Sequence, residues 1–133
     1  MGLFNFFKKD EDNWFVSELA FENNRTKQMQ MTPLTIKELK KIDVSEDKEL
    51  KLEYFFYTNS DKKANAFAQE LKKLNYEVKS RPSAGDKKLF IITGWTTKMQ
   101  MEDSIVANWT KTMCELGYGF DCEFDGWGTT PNQ

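Results

Sequence analysis

The sequence contains no histidine, and that one absence narrows its chemistry considerably. Ser-His-Asp and Cys-His catalysis, histidine-ligated zinc and a histidine pH switch are all excluded. Cysteine is scarce as well. Cys114 and Cys122 form no CxxC pair, and the two alone cannot close a four-ligand zinc site. In a chain that shows no secretion signal, both thiols are expected to be reduced and buried as small hydrophobes. No P-loop, GxGxxG or GxSxG motif is present. A strong excess of either charge is lacking too: 19 Lys and Arg stand against 21 Asp and Glu, a net of −2. That balance argues against a general affinity for phosphate backbones, which needs a clustered basic surface. Long hydrophobic runs are also missing. The apolar stretch in the opening "MGLFNFFKKDED" is too short to span a membrane and has no basic flank before it, as a signal peptide would. Phe6 also stands where myristoylation prefers Ser or Thr. A cytoplasmic protein without stable membrane association is expected.

What is present suffices for a core. A chain of 133 residues, 39% hydrophobic and 14% aromatic, supports one packed domain rather than two. Residues 1–12 read as a tail ending in an acidic break, residues 13–46 as a helical extension packing on the domain, and residues 47–133 as the domain itself. Within the extension, "NWFVSELAFENN" has loose helical spacing that Asn23-Asn24 would end. "MTPLTIKELKKIDV" places Thr35 and Glu38 at capping-box spacing, so two short helices are predicted.

From Leu50 the pattern sharpens. "LKLEYFFYT" reads as a strand with Tyr54 and Phe56 on one side and Phe55 and Tyr57 on the other, the latter pair expected to lie under the N-terminal helical segment. "TNSDKKANAFAQELKKLN" is a helix capped by Asn59 or Ser60, with Ala64, Phe67, Ala68 and Leu71 on one face. "YEVKSRPSAGD" is a strand running into a turn, and "KKLFIITGWTT" is apolar enough to be central. "MQMEDSIVANWTKTMCELGYG" is a helix with Met101, Ile105, Trp109, Thr112, Met113 and Leu116 facing inward and Gly117 as its stop. A last strand follows. The order β-α-β-β-α-β predicts an α+β, ferredoxin-like antiparallel sheet with helices on one face, plus the N-terminal helical extension. The last strand would sit at an edge, beside the first.

In "GFDCEFDGWGT", strand alternation would turn Phe120, Cys122 and Phe124 toward the helices and leave Asp121, Glu123 and Asp125 on the open face. Such a row of carboxylates can protect an edge from stray pairing, attract a basic partner, or hold a metal. Alternate residues lie roughly 6–7 Å apart along a strand, so three cannot converge on one ion unaided. The EF-hand offsets are absent too, and neither a metal nor another cofactor is expected. Trp127, between Gly126 and Gly128, either exposes its indole or plugs the end of the core. Phe55 and Tyr57 invite comparison with sheets that stack RNA bases, but "KKLFIITGW" lacks the RNP1 pattern and the neighbouring carboxylates repel phosphate. Direct nucleic-acid binding is not expected.

Three stretches, "LEYFFYTNSDKKANAFAQELKKLNYEV", "FIITGW" and "GFDCEFDGWGT", resemble the regulator of ribonuclease E activity B family, the ribonuclease E inhibitor domain. The likeness covers about residues 47–130, and its most specific mark is Phe124-Asp125-Gly126-Trp127-Gly128-Thr129 against the family's YDGWGT-type ending. The resemblance implies a ferredoxin-like fold and a non-catalytic regulator. Such a protein binds ribonuclease E, or a related ribonuclease, and reduces RNA cleavage by protein contact. The partner region in that family is basic and largely disordered. Asp121, Glu123 and Asp125 would then attract it and Trp127 would anchor it, with Gly126, Gly128 and Thr129 shaping the turn. Two other readings stay open: a small metal-dependent hydrolase using the same three carboxylates, and a module of this fold with an unrelated partner.

Overall fold

The computed structural model describes residues 14–86 and 88–133; the apolar tail and the acidic break at residues 10–12 lie outside them. Its elements run α1 (Glu18–Lys41), β1 (Glu49–Leu50), β2 (Glu53–Thr58), α2 (Asp61–Lys72), β3 (Lys79–Pro82), β4 (Phe90–Trp95), β5 (Met99–Gln100), α3 (Asp103–Gly119) and β6 (Glu123–Gly128). Four strands form one sheet in the order β3-β4-β2-β6, every neighbouring pair antiparallel. With α2 following β2 and α3 preceding β6, this is the expected βαββαβ arrangement. The short β1 and β5 pair with each other, so "LKLEYFFYT" is split between two sheets.

The core lies between this sheet and the helices. Tyr54 and Phe56 from β2, Ile92 from β4, Phe67 and Leu71 from α2, and Val106 and Met113 from α3 are all essentially solvent-free. The Phe56 ring sits 4.6 Å from that of Phe67 and 5.0 Å from that of Phe124, centroid to centroid, in edge-on and tilted contacts. Ser60 caps α2 by accepting from the Lys63 amide, and Ala64, Phe67, Ala68 and Leu71 form its buried face. In the central β4, both Ile91 and Ile92 are buried, as its uninterrupted apolar run requires.

Three local expectations are corrected. Gly117 does not stop α3; the helix runs on to Gly119. A Cβ at Gly117 would lie 2.6 Å from the Phe56 ring, so the glycine is there for close packing on β2. The inward stripe of α3 is also rotated. Val106, Trp109, Thr110, Met113, Cys114 and Leu116 are buried, whereas Ile105 and Thr112 are exposed. Met101 precedes the helix, and counting helical steps from it puts the phase out by about one residue.

The third correction concerns the N-terminal part. There is one helix of 24 residues, capped by Ser17, whose hydroxyl accepts from the Ala20 amide. Thr35 is no cap; its hydroxyl donates back to the Met31 carbonyl. Helix α1 packs along α3, not over Phe55 and Tyr57. Phe21 stacks on Tyr118 with centroids 4.2 Å apart, and Arg25 pairs with Glu115 at 3.0 Å. Ile36 and Leu39 enter the main core. Asn23-Asn24 failed as a break because Asn24, Gln28 and Thr32, four residues apart, make a polar stripe that faces β6. An apolar-periodicity reading discards such a stripe.

Candidate functional site

The three carboxylates do not share a face. Asp121 comes before β6, in a turn that gives it a left-handed backbone, φ 57°. Its side chain is wholly buried. One carboxylate oxygen accepts from the Val16 amide at 2.7 Å; the other accepts from the Phe15 amide at 2.7 Å and from Lys63 Nζ at 2.6 Å. The Asp121 carbonyl accepts from the Thr58 hydroxyl at 2.8 Å. Asp121 thus ties the segment leading into α1, the start of α2 and the end of β2 to one point. Burying a carboxylate is costly unless it is paired and hydrogen-bonded, and here both conditions hold. Its place is internal and structural, and the alternation rule misplaced it because a turn interrupts the extended chain.

The second departure is a bulge. Phe56 faces Phe124, but Phe55 faces Gly126, so Asp125 is an extra residue on β6. Gly126 has φ 126°, a conformation that residues with a Cβ rarely adopt. The inserted residue shifts the side-chain parity. Phe124 and Trp127, an odd number of positions apart, therefore both point into the core, which strict alternation forbids.

Trp127 is held there. Its indole N–H donates to the Thr32 hydroxyl at 3.1 Å, and its ring meets Trp109 edge-on at 6.3 Å. Thr110 gives its single hydroxyl proton to the Val106 carbonyl, so at the 2.8 Å contact between the threonines Thr32 must be the donor. The chain Trp127, Thr32, Thr110, Val106 links β6, α1 and α3 through their shared interior. Asn24 donates to the Phe124 carbonyl at 2.7 Å and so caps part of the outer edge of β6. Thr129 donates to the Lys51 carbonyl at 2.7 Å, tying the chain after β6 back to the entry of β2. Gly128, opposite Glu53, has open space around it. The FDGWGT segment is a clasp that fixes where the strand edge lies.

Glu123 and Asp125 remain at the surface. Glu123 is half-buried beside Tyr57, and Asp125 projects from the bulge. Partial burial, then the charge of Asp125, push the Glu123 carboxyl above its ordinary range, while Lys27 on α1 partly opposes them. Neither carboxylate has an ion-pair partner within the described residues. Beside them, Phe55 and Tyr57 lie on the sheet face away from the core, in register with Thr93 and Ile91 of β4. Across the sheet, the same rows end in Lys79 and Arg81 of β3. Those two cations were not singled out in the sequence, because strand order alone brings Arg81 level with Glu123 and Lys79 level with Gly126 beside Asp125.

Neither thiol is built for nucleophilic chemistry. Burial pushes the Cys114 thiol up to about 12 and raises that of Cys122 as well, and both are free and buried. With Asp121 turned inward, the proposed trio of metal ligands is not assembled, and no other group of three suitable side chains is found among the described residues. No helix of the described residues is long and apolar enough to cross a membrane. A family model described as Regulator of ribonuclease activity B matches residues 30–129, from the middle of α1 to just beyond β6. No curated protein gives a significant match.

Proposed function

The chain belongs to the Regulator of ribonuclease activity B family, and from that membership we propose that it lowers RNA cleavage by an E-type ribonuclease through direct protein contact. It performs no chemistry of its own in this reading and acts in the cytoplasm. The family match carries the proposal. The surface supports it in a secondary way: Glu123 and Asp125 form an acidic edge with no ion-pair partner among the described residues, beside half-buried Phe55 and Tyr57. A basic, extended segment of a ribonuclease would gain charge pairing at such an edge and apolar contact next to it. Trp127, in the role of exposed anchor, drops out because its indole already serves α1 and α3.

The test is cleavage of a short labelled RNA by ribonuclease E of the same host, with the protein titrated in. A stoichiometric fall in rate is expected, weakened several-fold by added salt and by the Glu123→Gln/Asp125→Asn variant. The protein alone should not retard the RNA in a gel. Unchanged cleavage at saturating protein overturns the proposal, and retardation of the RNA would show sequestration in place of protein contact.

A further inference from the structure

The outer face of the four-stranded sheet is ordered in rows. Residues directly opposite each other on antiparallel strands share a face, so the register reads out what stands beside what. One row runs Arg81, Ile91, Tyr57, Glu123 across β3, β4, β2 and β6. The next runs Lys79, Thr93, Phe55, Gly126, with Asp125 bulging beside the last. Both rows begin with a cation and are mainly apolar in the middle; the first ends in an anion and the second ends beside one. Ile91 is buried to 8% exposure yet lies outside the main core cluster, and among the described residues no helix packs over this face.

A uniformly basic or acidic partner would match one side of that pattern and be repelled by the other. A second copy matches both. Consider two such faces stacked about 10 Å apart on a two-fold axis parallel to the strands and midway between β4 and β2. The operation lays β3 of one copy over β6 of the other. Arg81 then stands over Glu123, Lys79 over the Asp125 bulge, Ile91 over Tyr57 and Thr93 over Phe55, each pairing occurring twice as an isologous contact requires. The row of Trp95 and Glu53 falls at the margin, where Glu53 keeps contact with water.

We infer that the outer sheet face, from Lys79 and Arg81 across Phe55 and Tyr57 to Glu123 and Asp125, is a self-pairing surface on which two copies of this chain form a weak, charge-registered dimer. Four strands at their usual spacing and about six residues of length give a face of roughly 400 Å² per copy. The total is below the roughly 1,200 Å² of standard stable interfaces, so the pair is transient and concentration-dependent. The ribonuclease reading is not needed for this inference. Where both hold, self-pairing hides Glu123 and competes with docking.

Sedimentation equilibrium of the full chain over a concentration series reaching the millimolar range, in low and high salt, is the first measurement. The mean mass is expected to rise from 15.6 kDa toward twice that value in low salt and to fall back in high salt. Arg81→Glu alone and Glu123→Arg alone, each at a surface position and checked for folding by circular dichroism, should stay monomeric. An equimolar mixture of the two should pair more tightly than either alone, and the double variant should self-associate like the parent. Dilution of the isotope-labelled parent protein should move amide signals of Phe55, Tyr57, Ile91 and Thr93 most. A parent chain that stays monomeric throughout, a mixture that does not pair, or dilution shifts confined to another surface overturns the inference. Loss of ribonuclease binding in Arg81→Glu with a strictly monomeric parent would give this face to the ribonuclease and likewise overturn it.

Discussion

Gly126 and Gly128 flank the same tryptophan and do different things. A Cβ at Gly126 would meet nothing closer than the Gln28 side-chain oxygen at 3.8 Å, so space is not the obstacle. Its φ of 126° is. Gly126→Ala should therefore destabilise the protein by about 1–3 kcal/mol through backbone strain alone. Gly128→Ala has open space and no such backbone demand, and it should change stability by less than about 0.5 kcal/mol. Urea unfolding of the two variants side by side checks this; equal effects would mean that the bulge is not held as described. At Gly94 the limit is contact, since a Cβ there would overlap the Glu77 carbonyl oxygen.

At the scale of elements, α1 is the informative case. Its packed side carries Phe21 against Tyr118, then a polar stretch facing β6, then Ile36 and Leu39 in the main core, so it has little helical amphipathicity to read. Pro33 lies inside it, exposed, without an N–H for the Met29 carbonyl. The helix continues because Thr32, Ile36 and Leu39 on either side of that proline are buried against the rest of the fold. Pro33→Ala should restore the missing bond and raise stability by about 1–3 kcal/mol, seen as a higher Tm with unchanged helix content. A lower Tm would mean that the proline shapes a bend the packing needs. The sheet and α2 were legible in the sequence because their periodicities come from one apolar core: Ala64, Phe67, Ala68 and Leu71 at helical spacing, Tyr54 and Phe56 at alternate positions. The α1 stripe of Asn24, Gln28 and Thr32 was not, since buried polar contacts have no signature until the partner strand is in place. The candidate site was half legible. Asp125-Gly126 inside a strand pattern is a bulge signal, and the odd spacing of Phe124 and Trp127 agrees with it. Nothing local announced that Asp121 would turn inward to meet Phe15, Val16 and Lys63, since the first two lie more than a hundred residues away.

For the whole molecule, 21 acidic and 19 basic residues give no large net field, so electrostatic recognition must come from where charges are placed. The fold separates them by task. Asp121 is held in internal order, while Glu123 and Asp125 stay at the edge without an ion-pair partner among the described residues. Glu123 titrates above its ordinary range, so its ionisation weighs against the folded state as pH rises through that range. Replacing it with Gln should thus leave stability at neutral pH unchanged or slightly higher. Asp121→Asn keeps a residue that tolerates the left-handed backbone but removes the charge that Lys63 and two amides share. The most direct measurement pairs the Tm of these variants with their affinity for the host ribonuclease E, taken at a temperature where both are folded. Asp121→Asn should lose about 3 kcal/mol, a fall in Tm of roughly 10 °C, and bind like the parent protein. Glu123→Gln/Asp125→Asn should keep or raise its Tm and bind about ten-fold more weakly, the loss of about 1.4 kcal/mol of charge pairing. Full affinity in the double variant, or an unchanged Tm in Asp121→Asn, would contradict this division of the acidic residues.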